Sequence, residues 1–323
     1  VYQDTVAEPK KLHDPRFLVL LFVGLFGLAF FIDFSQSLVG QLLTFVTGPV
    51  EESGLHGRFA SAFLVALIMI VNLFAISFLP FRYQVGIVWA QLLCVALAFF
   101  YGFDLNLEFI QTKIWFMVSK GLATTLYISA ISIFFATLLA LVGAVAKLSN
   151  NGFAFAIASF YTSFFRGLPL LMQLYLIYLG LPQLGFVIDA IPAGILALSL
   201  CYGAYMTEIF RAGIQSIPQG QWEGARALGF NFRKVMRYII LPQSIPLIIP
   251  PTGNQFIAML KDSTLVSVIG VIELMFLART LGNKQFKHME MLITAALIYW
   301  LISIVLELIQ ARIERHYRKS TTR

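Results

Sequence analysis

The sequence predicts an all-α integral membrane protein of about eight transmembrane helices. Three observations carry that prediction. Hydrophobic residues make up 59% of the 323-residue chain and charged residues only 12%, whereas a soluble domain of this size keeps roughly a quarter of its residues charged. Phenylalanine occurs 31 times, an excess that suits lipid-facing helices better than a compact aqueous core. The apolar residues also gather in long runs, and a bilayer core of about 30 Å needs about 20 residues of helix to cross it.

The runs can be taken in order. Phe17–Phe34 is the first. Its Phe17–Ile32 stretch is near the lower length limit for a span, and Asp33-Phe34-Ser35-Gln36 offers no small-x-small cleavage site, so it is read as a span rather than a signal peptide. Phe59–Phe81 and Val85–Phe103 complete a three-span N-terminal extension, residues 1–112. The polar segment Asp104–Lys113 closes it. A five-span unit, residues 113–315, follows, with a short tail at 316–323. Trp115–Ala146 is longer than one span and must tilt, break or extend outside the membrane. Phe153–Leu179 carries a kink signal at Gly167 and Pro169, and Ile191–Ala212 is a single span. Ile239–Leu277 is again too long for one crossing, and Pro246, Pro250, Pro251 and Gly253 predict a break near its start. Met291–Ile309 is the last span.

Basic residues orient the spans. Lys10, Lys11 and Arg16, then Arg82, Lys147, the cluster Arg226, Arg233, Lys234 and Arg237, and finally Arg312, Arg315, Arg318, Lys319 and Arg323 fall on one side. The other side holds Glu51, Glu52, Asp104, Glu108 and Asp189, with Arg279, Lys284 and Lys287 weakening the contrast. Both termini and the 213–238 loop are therefore expected in the cytoplasm. The net charge of +7 is spread over short loops, not one stripe, which argues for membrane orientation and against nucleic acid as a partner. Cys94 and Cys201 sit in apolar segments, and His13, His56, His288 and His316 lie in or beside loops and tails; neither set suggests a metal site or disulfide framework. No nucleophile–base constellation is visible, so nothing points to an enzyme.

The 213–238 loop is a charged island of helix-forming sequence between two spans. Pro218 starts a first short helix, and Glu223 near its N-terminal end complements the helix dipole. Gly229 is placed to close it in the left-handed conformation, and Asn231 to cap a second turn carrying Arg233, Lys234 and Arg237 toward an anionic lipid surface. Trp222, Ala225 and Leu228 form an apolar strip at helical spacing. Two readings of the strip stand: it packs on the chain's own membrane ends, or it is a knob for a groove on a partner.

Three further segments carry polar groups into apolar surroundings. Phe165-Arg166-Gly-Leu-Pro places an arginine roughly 20 Å along its span by helical rise. Tyr202-Gly-Ala-Tyr-Met-Thr-Glu-Ile-Phe-Arg211 sets Tyr205 and Arg211 each three residues from Glu208. Gly253-Asn254-Gln-Phe-Ile-Ala-Met-Leu-Lys261-Asp262-Ser-Thr follows the proline-rich stretch. An ionisable residue at membrane depth is a functional candidate. The competing readings are a structural ion pair or carbonyl cap for Arg166 and simple neutralisation by Arg211 for Glu208.

These segments identify a resemblance. Glu223-Gly224-Ala225, Gly229 and Ile240-Leu241-Pro242 resemble the EAA coupling loop of ABC-importer permeases, with Gly224 where that family usually has Ala. Gly in place of Ala softens a helix by up to about 1 kcal/mol. The other three segments resemble the signatures of the polar amino-acid permease family, the histidine/glutamine/arginine branch of type I ABC importers, with Leu168 in place of Thr and Ser263-Thr264 as a swapped Thr-Ser. The match runs from about Ser119 to Arg315 and leaves residues 1–112 without a counterpart.

The resemblance implies a five-helix importer core preceded by three extra helices, in a bacterial plasma (inner) membrane. It implies a permease subunit that couples ATPase closure to alternating access for polar amino acids. Its partners would be a second permease subunit, identical or homologous, two ATPase subunits, an extracytoplasmic amino-acid-binding protein and membrane lipids. No G-x-x-x-x-G-K-[ST] phosphate loop occurs in the chain, so no cofactor is expected in it, and ATP and Mg would sit on the partner ATPase. Trp222, Glu223, Gly224, Ala225, Leu228 and Gly229 would meet that ATPase, and Arg166, Tyr205, Glu208, Asn254, Lys261 and Asp262 are the substrate-pathway candidates. A surplus of basic groups among the carboxylate-binding candidates favours acidic or amide cargo. The competing class is a secondary transporter or channel using Arg166, Glu208 and Lys261 for ion coupling, a scheme that gives the 213–238 loop no task.

Overall fold

The computed structural model describes residues 14–33, 50–103 and 105–321, with the side chains of 50–53, 101 and 318–321 outside that description. Lys10, Lys11, His13, Asp104 and Arg323, named above for orientation or surface position, lie outside the described residues. Among the described residues, six helices are long and apolar enough to cross a membrane, and up to eight if each of two bent pairs counts as one span. Two compact units divide at Phe103/Asp104.

The N-terminal unit holds α1 (Pro15–Ile32), α2 (Val50–Ser77, with non-helical backbone at Gly54) and α3 (Phe81–Tyr101). Asp14 caps α1, accepting from the Arg16 amide at 3.0 Å, and Asp33 closes it in the left-handed conformation. The α1–α2 contact is an aromatic ladder, with Phe22 edge-on to Phe63 (5.3 Å between centroids) and Phe26 edge-on to Phe59 (4.9 Å). Arg58 ends the ladder: its Nε donates to the Phe30 carbonyl at 2.7 Å and lies 3.7 Å from the Asp33 carboxylate, satisfying the exposed end of α1. Gln91 donates to Asn72 at 3.1 Å, so two amides between apolar helices satisfy each other.

The second unit begins with α4 (Leu107–Phe116), a π-helical turn at Met117–Leu122 and α5 (Ala123–Leu148), together one 42-residue run. The long fourth run therefore starts earlier than Trp115 and absorbs its excess in the π turn. There Gly121 approaches the next segment so closely that a Cβ would sit 2.9 Å from the Leu274 Cα. α6 (Gly152–Gly167) turns by 107° into Leu170–Leu184, at the expected Gly167/Pro169 position. The buried Gln173 holds this corner, donating to the carbonyls of Phe165 and Leu168, both at 2.8 Å. These are acceptors the broken helix leaves free.

The core of the unit is the pairing of α5 with α8 (Ala190–Gln215). Ala136, Ala140 and Ala144 on α5 and Ala193 and Ala197 on α8 are nearly inaccessible. Small residues let two membrane helices approach at backbone distance, where dispersion does the work that water exclusion does in soluble proteins.

After the loop, α11 (Leu241–Asp262) runs unbroken through Pro246, Pro250 and Pro251. The break expected near these prolines is not there. Polar side chains bond carbonyls along this stretch: the Gln310 amide donates to the Pro250 carbonyl at 3.1 Å, and Thr252 Oγ1 donates to Ile248 O at 2.8 Å; the carbonyls that lose a helical donor to the prolines are those of Pro242, Pro246 and Leu247. The bend, of 51°, comes later. A 3-10 segment, Ser263–Ile269, ends at Gly270 (φ 88°), and Glu273 caps α12 (Leu274–Gln285) before α13 (His288–Thr321) returns. The labels α7, α9 and α10 denote Leu170–Tyr175, Gln219–Ala227 and Phe232–Val235.

Candidate functional site

The loop is built as two short helices, α9 and α10, with Gly229 between them at φ 76°. Asn231 Oδ1 accepts from the Lys234 amide at 3.0 Å and caps α10. The apolar strip divides. Ala225 is 3% exposed, packed with Ile214, Ile217, Val235 and Ile240, and Trp222 lies partly buried against the same cluster. Leu228 is 76% exposed. Glu223, Gly224 and Gly229 are exposed as well, and a Cβ at Gly224 would meet nothing within 4 Å. One side of α9 is thus rooted in the chain, and the other is open.

The polar segments of the spans meet in two places. In the first, Glu208 on α8 accepts from Lys147 at the end of α5 and from Arg211, whose Nη2 is 2.8 Å away. Lys147 also donates to Thr162 on α6 at 3.0 Å. Arg166 approaches the same carboxylate at 3.9 Å while its guanidinium lies over the Tyr205 ring, 5.4 Å from the centroid. Glu208 is therefore surrounded by three cations from three helices. Arg166 is the loosest of these, with 43% of its side chain exposed. Tyr205 in turn lies 6.4 Å from Tyr202, which donates to Asp262 Oδ2 at 2.7 Å. Arg166, Tyr205, Glu208 and Asp262 thus form one connected chain of contacts.

Lys261 and Asn254 face elsewhere, into an open cavity of about 390 Å³ between α11 and α13 that Glu307, Gln310 and Glu314 also line. Gln310 ties its walls, its Nε2 reaching Asn254 Oδ1 at 2.9 Å and Glu314 Oε1 at 2.8 Å.

Several polar groups of consequence were not singled out in the sequence. The sequence marks Lys147 only as an orienting charge and does not single out Gln173, Glu273 or Glu307. Glu273 is 0% exposed. Its carboxylate accepts from the amides of Met275 (2.8 Å) and Phe276 (2.7 Å) and from the Tyr299 hydroxyl (2.8 Å), with Thr125 Oγ1 at 3.4 Å. A Glu before Leu-Met-Phe could have been read as a helix cap; that it also gathers α5 and α13 could not.

Comparison with known proteins gives one consistent result. Residues 136–319 match the family described as binding-protein-dependent transport system inner membrane component. An arginine transport system permease protein of Bacillus subtilis (ArtQ) is 41% identical over 219 residues, 67% of this chain and 100% of that protein. An L-cystine transport system permease protein of the same organism (TcyB) is 38% identical over 209 residues, 64% of this chain and 89% of that one. A crystal structure of an amino acid ABC transporter is similar at 38% identity with a TM-score of 0.60, covering 64% of this chain and 95% of that chain. The inward-facing MetNI methionine transporter shares the fold, at 20% identity and a TM-score of 0.56.

Proposed function

Because this chain belongs to the family of binding-protein-dependent transport system inner membrane components, we propose that it is the permease subunit of an importer of polar amino acids, driven by ATP hydrolysed on a separate chain. The single observation that carries the mechanism is the divided α9 helix. Its inner side, Trp222 and Ala225, is locked into the ends of α8 and α11, while Glu223, Gly224, Leu228 and Gly229 remain exposed. A partner gripping the exposed side displaces α8 and α11 together, because close-packed interiors transmit displacement rather than absorb it. Those two helices carry Glu208 and Asp262.

In this reading two ATPase subunits, holding ATP and Mg, grip the loops of two permease subunits, this chain and a second, identical or homologous one. An extracytoplasmic binding protein delivers cargo, and both termini and the 213–238 loop lie in the cytoplasm of a bacterial cell. Closure of the ATPases draws the loops together and turns the pathway outward; the binding energy of ATP thus biases a two-state equilibrium of the permease pair. The names of the relatives, which specify arginine and L-cystine, support an amino-acid cargo.

The test is reconstitution of the complex with its ATPase and binding protein in proteoliposomes. Uptake of labelled amino acid should require internal ATP, and Leu228→Cys should cross-link to the ATPase chain. Uptake that runs on an ion gradient with no ATPase present would replace this reading with a secondary transporter.

A further inference from the structure

A cavity of about 750 Å³ lies between α5, α8, α11 and α13, toward the end of the unit that carries the 213–238 loop. Its walls are hydrocarbon: Val145 from α5, Ile214 from α8, Ile245 and Ile249 from α11, and Leu306 and Ile309 from α13. The polar side chains on the wall are already engaged. Thr137 Oγ1 donates to Ile133 O at 2.7 Å, Thr252 Oγ1 to Ile248 O at 2.8 Å, and the Gln310 amide to Pro250 O and Asn254 Oδ1. Water and charged solutes find few partners there, and an apolar cavity of this kind stays dry. Val145, Ile245 and Ile309 are exposed, so hydrocarbon can enter from the side of the bundle. The cavity runs about 12 Å along α5, from Thr137 to Val145, and about 10 Å along α13, from Leu306 to Ile313, by helical rise. That depth falls within one leaflet, roughly 15 Å of a hydrocarbon core of about 30 Å.

The loop-side end of the cavity is basic. Arg237 directly follows the wall residue Met236, and Arg312 directly precedes the wall residue Ile313. Both arginines are exposed, and among the described residues neither has an ion-pair partner. The Arg237 guanidinium lies 5.7 Å from the centre of the Tyr238 ring, and the exposed Tyr317 stands one turn beyond Ile313. Both walls thus end in an arginine and a tyrosine, residues suited to the headgroup level of a bilayer. We propose that this cavity is an anionic phospholipid site, in which an acyl chain fills the apolar slot and Arg237 and Arg312 hold the phosphate headgroup. A neutral membrane helix in the same place would leave the two guanidiniums unanswered. The site also has a consequence for the loop. Ile214, Met236 and Ile248 belong both to this wall and to the cluster that roots Ala225 and Trp222. The acyl chain completes the packing beneath α9, and an emptied cavity loosens that root. The site goes beyond the importer reading and does not depend on it.

The test uses the purified full chain in phosphatidylcholine nanodiscs with a trace of photoreactive lipid. Two probes carry the same photoreactive acyl chain, one a phosphatidylglycerol and the other a phosphatidylcholine, and the adducts are mapped by peptide mass spectrometry. Adducts on wall residues such as Ile249 and Leu306 should form about twentyfold more with the phosphatidylglycerol probe. Arg237→Gln and Arg312→Gln should each cut that excess about fivefold, the contribution of one basic residue at an anionic headgroup, and the double variant should abolish it. Arg237→Lys and Arg312→Lys should keep most of it. Ile245→Trp, which fills the mouth, should remove adducts from the cavity and leave those on the exposed α3 unchanged. The arginines lie outside the packed interior, so their variants decide the matter even if Ile245→Trp fails to fold. Equal labelling by the two probes, or an excess that survives in the double arginine variant, would overturn the site. So would Ile245→Cys cross-linking to another protein segment in place of lipid, which would make the cavity a seat for a helix.

Discussion

Tyr202 donates a 2.7 Å hydrogen bond to Asp262, tying the middle of α8 to the last turn of α11. Removing the hydroxyl leaves a carboxylate at membrane depth without its donor, a loss on the order of 1–3 kcal/mol. Tyr202→Phe should therefore lower the thermal unfolding midpoint of the purified protein, while Tyr202→Phe combined with Asp262→Asn should lower it by much less than the sum of the single changes. Additive losses would show that the two side chains act independently.

The exposed side of the loop makes a second prediction. Glu223→Lys and Gly229→Asp should abolish transport while the protein still reaches the membrane, because neither residue packs inside it. ATPase activity should persist but lose its response to substrate and binding protein. Gly229 has φ 76°, so Asp also strains the joint between α9 and α10. Gly224→Ala is the control: open space surrounds that position, and Ala should stabilise α9 by about 0.5–1 kcal/mol without loss of uptake. Normal uptake by both Glu223→Lys and Gly229→Asp would leave α9 a self-packing element only.

The encircled carboxylate makes a third. Glu208→Gln leaves Lys147, Arg211 and Arg166 facing one another without a counter-charge. Uptake of every amino acid should fall together, measured with a labelled panel, and the amount of folded complex should fall with it. Adding Lys147→Met should restore part of both, since it removes a cation that has lost its partner. A selective loss confined to one class of side chain would instead make Glu208 a contact for cargo.

Much of this architecture was legible because it is written locally. Runs of about 20 apolar residues mark spans, Gly167 and Pro169 mark the 107° corner, and Gly229 and Asn231 mark the joint in the loop. What was not legible depends on neighbours distant in sequence. The three interior prolines of α11 predict a break by their own chemistry, yet the helix continues through them, packed against a second helix whose Gln310 bonds the Pro250 carbonyl. Glu208 looked adjacent to Arg211, as it is, but its strongest neighbour is Lys147 on α5. Lys261 and Glu307 share a cavity although one belongs to a recognisable polar motif and the other to an apolar run.

Glu273 provides the last prediction. It joins three parts of the second unit: the start of α12 through two amides, α13 through Tyr299, and α5 through Thr125. Glu273→Gln preserves the shape and one acceptor oxygen but loses the charge that strengthens each bond, whereas Glu273→Ala leaves the amides of Met275 and Phe276 without their cap. Both variants should unfold at lower temperature than the wild type in detergent, Ala further than Gln, with Ala losing several kcal/mol because an entire buried network goes with it. Tyr299→Phe removes one donor and should fall between wild type and Glu273→Ala. Limited proteolysis near Gly270 should become faster in the same order, since that turn is held by the α12 start it precedes. Equal stability of Glu273→Ala and wild type would mean that this buried carboxylate organises nothing, and would leave the 51° bend to Gly270 alone.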